Sequence, residues 1–152
     1  MKTGVSVMDA MTKHPVTITK ETTIQQCAQQ MKQHDVGSLL IVEHGTFIGI
    51  VTEQDIVYRA VAQHIDTATT PAKDIMSSTI YTIGPDVDLY DALVHMRDAS
   101  IRQLPIVQDG KLLGYLTLKD VLKIQPDLFD LLVEHIELRE EERKLGIQSD
   151  TF

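Results

Sequence analysis

The chain has 152 residues, 43% hydrophobic and 24% charged, an ordinary globular composition with material for one substantial core. Its net charge of -8 offers no basic stripe to a nucleic acid, so binding of DNA or RNA is not expected, whereas a small anion needs only a local site. The lone Cys27 excludes an internal disulfide and a multi-cysteine metal site. With no membrane-length apolar run and no signal-peptide core near the start, a cytoplasmic location without membrane insertion is expected.

Val16-Thr17-Ile18 reads as a short apolar strand. Thr23 with Gln26 three residues on forms a capping-box signature, and Ile24, Cys27, Ala28 and Met31 supply the buried stripe of a helix ending near His34-Asp35. Two apolar strands follow, Ser38 to Val42 and Phe47 to Val51, joined at Glu43-His44-Gly45. A second helix is predicted from Thr52, with Ile56, Val57 and Ala60 on its apolar side. Asp66 to Pro71 is a linker. Asp88 then caps a helix with stripe Leu89, Ala92, Leu93 and Met96, ending near Ala99-Ser100. Strands Gln103 to Val107 and Leu112 to Leu116 meet at Gln108-Asp109-Gly110, a strong hairpin signal, and a last helix starts at Thr117 with Val121, Leu122 and Ile124 inward.

These elements are one pattern written twice at an offset of 65 residues. Val36 to Val57, VGSLLIVEHGTFIGIVTEQDIV, aligns with Ile101 to Leu122, IRQLPIVQDGKLLGYLTLKDVL, and twelve positions between Val7 and Tyr58 are identical to their counterparts. Two copies at this period predict two pseudo-symmetric halves rather than an open solenoid. Each reads strand, helix, strand, strand, helix. The strands are apolar almost continuously, so a sheet covered on both faces is expected. Gly49 and Gly114 recur inside a strand, where glycine marks the close approach of another segment or a ligand.

Both copies end on Gly-x-x-Thr-x-x-Asp, with Thr52 and Asp55 in one and Thr117 and Asp120 in the other. Two compatible readings are open. Threonine at the N-cap and aspartate at N3 satisfy free helix amides. The same junction can offer N–H groups and a hydroxyl to phosphate and a carboxylate to ribose hydroxyls. The six histidines show no zinc spacing, Cys27 lies on an apolar stripe as a small core residue, and no paired carboxylates, catalytic cluster or phosphate-binding glycine loop is present; an enzyme is not expected.

DAMTKHPVTI with DIMSSTIYTI, MKQHDVGSLLIV with MRDASIRQLPIV, and GIVTEQDI with GYLTLKDV together resemble a tandem pair of cystathionine-beta-synthase-type (CBS) domains, a Bateman module, over Val7 to Ile124. The resemblance implies a mixed α/β fold of two pseudo-symmetric repeats packed through their sheets, with no catalytic or metal site. It implies regulation of a separate enzyme or transporter, commonly as a homodimer, through an adenosine nucleotide. AMP or ATP is favoured, with ADP, NAD and S-adenosylmethionine as alternatives; an interaction module with vestigial clefts is the competing class. By the same resemblance, one site joins Thr117, Lys119 and Asp120 to His14, Pro15, Thr17 and Ile18 and to Gly37, Ser38 and Leu39. The other joins Thr52 and Asp55 to Thr79, Ile80 and Ile83 and to Arg102, Gln103 and Leu104. Arg102 replaces Gly37, and a guanidinium there suits phosphate.

The expected division is a first repeat over 7–65, a linker over 66–71, a second repeat over 72–125 and an acidic amphipathic helix over 126–146. From Pro126 onward there are 3 Lys+Arg against 8 Asp+Glu. Asp127 is read as the tail's cap, and Leu128, Leu131, Leu132 and Ile136 as its apolar side. That side either folds back on the repeats or makes a dimer contact.

Overall fold

The computed structural model describes residues 1–78, 80–133 and 144–146. Helices and strands alternate in two compact units. A leading unit gathers Lys13–Ile80 with Val107–Leu113; a trailing unit gathers Met1–Thr12, Tyr81–Ile106 and the described residues from Gly114 on. Each unit thus takes the segment that precedes the other repeat.

In the leading unit, β1 (Thr17–Ile18) runs parallel to β2 (Ser38–Glu43), with Thr17 opposite Leu40 and Ile18 opposite Ile41. β2 pairs antiparallel with β3 (Thr46–Thr52), and the register slips between Ile41 and Val42. His44 and Gly45 join them with φ of 48° and 77°, the left-handed pair that a two-residue hairpin turn requires. The intervening helix Ile24–His34 is closed at its start by the reciprocal Thr23–Gln26 box and at its end by Asp35 at φ 53°. Ile24, Cys27, Met31, Leu39, Ile41, Val51, Ala60, Ala72 and Ile75 form one buried cluster. Leu40, on the opposite face of β2 from Leu39 and Ile41, is buried as well, in keeping with a sheet covered on both faces.

The free edge of β3 is occupied by the chain entering the second repeat. Ile50 bridges Ser77 through N–H···O bonds of 3.0 and 2.9 Å. This approach explains Gly49, where a Cβ would lie 2.9 Å from Met76 Sδ and 3.2 Å from the Ser77 carbonyl oxygen. The close neighbour anticipated at this glycine is a chain segment.

The trailing unit repeats the device with the start of the chain. A short helix, Val7–Ala10, leads to Thr12, which bridges Tyr115. A Cβ on Gly114 would collide with Met11 Sδ and approach Thr12 O to 2.8 Å. The helix Leu89–Ala99 is capped by Asp88, and it buries Leu89, Ala92, Leu93 and Met96. Strands β4 (Gln103–Gln108) and β5 (Lys111–Thr117) pair across Asp109 and Gly110, again at positive φ, with the turn and its flanks, Val107–Leu113, grouped in the leading unit. The final repeat helix is Leu118–Ile124, with Val121 buried.

Five expectations are corrected. The opening strand of the second repeat shrinks to a single parallel bridge, Ile83 to Ile106. In the first repeat Leu40 N–H donates to Val16 O; its counterpart Pro105 has no N–H, so that rung is missing. Ala28 is exposed although it shares the stripe's spacing, because the buried face is set by Ile24, Cys27 and Met31. The helix after Thr52 keeps α-geometry only over Glu53–Asp55 and widens to a π-helix over Ile56–Val61, where Ala62 N–H reaches Val57 O; Val57 is left exposed. Asp127 is not a cap but sits inside a 3₁₀ turn, Pro126–Leu128, and Ile124, expected on the inward side of the last repeat helix, is 40% exposed at that helix's end.

Helix follows that turn over 129–133, with Leu128 and Leu132 buried in the trailing unit. The predicted positions Glu134 to Arg143, Ile136 among them, lie outside the described residues, as does Thr79.

Candidate functional site

Both Thr–Asp junctions form as reciprocal capping boxes. In the leading unit Thr52 N–H donates to Asp55 Oδ2 at 2.9 Å, and Asp55 N–H donates to Thr52 Oγ1 at 3.2 Å. In the trailing unit Thr117 N–H donates to Asp120 Oδ2 at 3.0 Å and Asp120 N–H to Thr117 Oγ1 at 3.2 Å. The Thr117 hydroxyl also donates to Asp120 Oδ2 at 2.6 Å. The structural reading of the tetrad is therefore met in full.

The two carboxylates differ in what remains. Asp55 Oδ1 faces Arg59 Nε at 3.6 Å, and Arg59 in turn donates from Nη1 to the carbonyls of Ile75 and Met76 at 3.1 and 3.3 Å. The residue at the Arg59 position of the second repeat is Ile124, so Asp120 has no such cation. Among the described residues Asp120 Oδ1 has no hydrogen-bond or ion-pair partner, which leaves an acceptor beside a fixed threonine.

Within the leading unit the strands bring several expected residues together. Ser38 stands opposite Thr52, and Leu39 opposite Val51. Gly37 O accepts from Glu53 N–H at 3.0 Å, and the Thr17–Ile18 strand lies on the other side of β2. His14, Pro15 and Ile80 belong to the same unit. In the trailing unit, Arg102 O accepts from Leu118 N–H at 2.8 Å, and Ile83 lies beside Ile106. Gln103, Leu104, Lys119 and Asp120 are in that unit as well, Leu104 fully buried.

Each unit carries an open groove next to its junction. The trailing groove, about 590 Å³, is lined by Arg102, Gln103, Thr117, Leu118, Lys119, Leu122 and Lys123. Arg102 and Lys119, expected at different clefts, line this one groove together. The leading groove, about 530 Å³, is lined by Ala28, Met31, Lys32, Asp35, Val36, Gly37, Glu53, Ile56 and Val57. The sequence reading missed Arg59, Glu53, Leu118 and Lys123. Comparing the repeats at every 65-residue offset, rather than only at the conserved tetrads, exposes all four.

Among the described residues two buried groups are displaced from their ordinary acidity. Burial raises the Cys27 thiol to about 11, so it is an unreactive core group. Burial alone would raise Asp88, but N–H donors from Thr3, Tyr90 and Gly4 and the Thr3 hydroxyl outweigh it and hold the carboxyl at about 2.

The CBS domain family matches residues 7–62 and 72–127. A CBS domain-containing protein of Bacillus subtilis is 40% identical over 116 residues, 76% of this chain and 82% of that protein. An uncharacterised conserved protein from Pyrococcus horikoshii, solved by crystallography, superposes with a TM-score of 0.75 at 27% identity, covering 82% of this chain and 94% of the other. A CBS domain pair solved in complex with 5′-methylthioadenosine and S-adenosyl-L-methionine superposes at 0.71, also at 27% identity, over 79% of this chain and 94% of its own. With both repeats matched and each folded around the same strand–turn–strand–cap unit, the chain belongs to the CBS domain family and carries two such domains in tandem.

Proposed function

We propose that this protein is a non-catalytic sensor that binds an adenosine nucleotide and relays its occupancy to a separate enzyme or transporter, working as a homodimer. The observation that carries the reading is the Thr–Asp junction built twice, with Asp120 Oδ1 unengaged among the described residues. A threonine and an aspartate locked by mutual hydrogen bonds form a rigid rim. Ribose diols match the free carboxylate oxygen, and Arg102 and Lys119 supply cations for phosphate. The adenosyl ligands of the similar CBS pair support an adenosine-bearing compound. AMP or ATP is preferred because of the two cations. Their bearing on a second reading, S-adenosylmethionine as the ligand, is that the sulfonium compound has no phosphate for them to hold.

Calorimetric titration with AMP, ADP, ATP, NAD and S-adenosylmethionine tests the assignment. Binding also raises folding stability by mass action, by about 2.7 kcal/mol when free ligand stands at 100 times Kd. Binding of the phosphate-bearing ligands over S-adenosylmethionine supports the first reading, and the reverse order the second. No binding of any of them at ~1 mM removes both and leaves an interaction module with vestigial clefts.

A further inference from the structure

Two of the six methionines, Met11 and Met76, stand at equivalent places in the repeats, 65 residues apart. Met11 lies with Gly114 in the trailing unit, and Met76 lies with Gly49 in the leading one. Each thioether sits in the notch over its strand glycine. Met76 Sδ is 2.9 Å from where a Gly49 Cβ would be, and Met11 Sδ comes closer still to the Gly114 position. Met76 also packs against the buried cluster of its unit. The residue after each sulfur is pinned to the strand by a reciprocal pair of backbone hydrogen bonds, 2.8 and 3.0 Å between Thr12 and Tyr115 and 2.9 and 3.0 Å between Ser77 and Ile50. Methionine and glycine thus form a clasp over a strand edge in each unit, three residues before Thr117 and three before Thr52.

The other four methionines fall at the extremes of exposure. Met1 and Met8 are 86% and 40% exposed, whereas Met31 and Met96 are 6% and 1% exposed. Met11 and Met76 are half-buried, within reach of a small solute yet packed where added polarity disturbs structure. A sulfoxide carries an oxygen where the thioether has only a lone pair, and that oxygen is a strong hydrogen-bond acceptor. On the glycine side the notch has no room for it, and the nearby amides of Tyr115 and Ile50 already donate to Thr12 and Ser77. The oxygen is either left without a donor or takes one from the bridge, and both outcomes open the edge.

We propose that Met11 and Met76 are paired oxidation sites, through which a hydroperoxide opens the covered strand edge in each unit. A sulfur lone pair attacks one peroxide oxygen, and the S–O bond forms as the O–O bond breaks. The proton on the transferred oxygen passes to the departing one. Thioether and hydrogen peroxide become sulfoxide and water, the sulfur losing two electrons and the peroxide gaining them. Methionine sulfoxide reductases reverse the step, which makes it a switch. The clasp is independent of which ligand the protein binds.

Peptide mass mapping of the full chain during exposure to hydrogen peroxide, paired with thermal unfolding and amide exchange, tests the assignment. Met1 and Met8 are expected to oxidise without moving the melting temperature. Oxidation of Met11 and Met76 should lower it by about 5 °C or more and speed exchange of the Tyr115 and Ile50 amides about tenfold. A methionine sulfoxide reductase should reverse both changes. Met11→Leu with Met76→Leu keeps the volume without the sulfur, and this variant should hold its melting temperature under the same peroxide. The native chain alone can overturn the proposal: Met11 and Met76 stay reduced until the protein unfolds, or their sulfoxides leave the melting temperature unchanged. A double variant that peroxide destabilises as much as the native chain overturns it too, by placing the sensitive group elsewhere.

Discussion

Removing the Asp88 carboxylate should loosen the trailing unit at its start. Asp88 is 9% exposed, caps the helix Leu89–Ala99 through Tyr90 N–H at 2.8 Å, and accepts from Thr3 N–H at 3.0 Å, Thr3 Oγ1 at 3.0 Å and Gly4 N–H at 2.9 Å. A carboxyl lowered from 3.8 to about 2 corresponds to on the order of 2 kcal/mol of stability at neutral pH. Loss of a helix cap alone costs about 1 kcal/mol, so Asp88→Ala is expected to destabilise by roughly 2–3 kcal/mol. Because the folded-state pKa is depressed, this stability is fully present above pH 3.8 and is lost as pH falls toward about 2. Roughly half of it should be gone near pH 3. Urea unfolding of both proteins from pH 7 down to pH 3 measures the gap. A gap below ~0.5 kcal/mol at pH 7, or one that does not narrow on acidification, would refute the reasoning.

Gly114→Ala should cost more than Gly49→Ala, on the order of 2 kcal/mol against 1, because a Cβ meets the Thr12 carbonyl at 2.8 Å in one case and the Ser77 carbonyl at 3.2 Å in the other; thermal unfolding ranks them. Cys27, with its thiol raised to about 11, should resist an aromatic disulfide reagent at pH 8 until urea unfolds the chain, and prompt native labelling would show the helix to be less well packed. Arg102→Ala is expected to weaken nucleotide binding by roughly tenfold and more than Lys119→Ala does, since a guanidinium grips phosphate with several fixed donors; calorimetry compares them, and equal losses would remove the special role of Arg102.

What the sequence made legible was local. The Thr23–Gln26 box, the caps at Asp88, Thr52 and Thr117 and the left-handed turns at His44-Gly45 and Asp109-Gly110 each depend on residues within four positions of one another. The repeat itself made the family legible. Gly49 and Gly114 announced a close neighbour but not its identity, because Met76 and Met11 reach them from segments far away in the chain. The helix after Thr52 looked regular because its apolar spacing is regular; the hold of Arg59 on Asp55 and on the carbonyls of Ile75 and Met76 spans up to 17 residues and leaves no periodic trace. In the same way Ala28 has the spacing of a buried residue and the exposure of a groove residue.

The central claim is that the Thr–Asp junctions are ribose sites as well as helix caps. Calorimetric titration of the native chain and of an Asp55→Ala, Asp120→Ala double variant against the adenosine-nucleotide panel tests it most directly. The account predicts saturable binding to the native chain and at least about a tenfold loss in the folded variant, the effect of removing a charged hydrogen-bond acceptor. Binding of equal strength before and after substitution would contradict it.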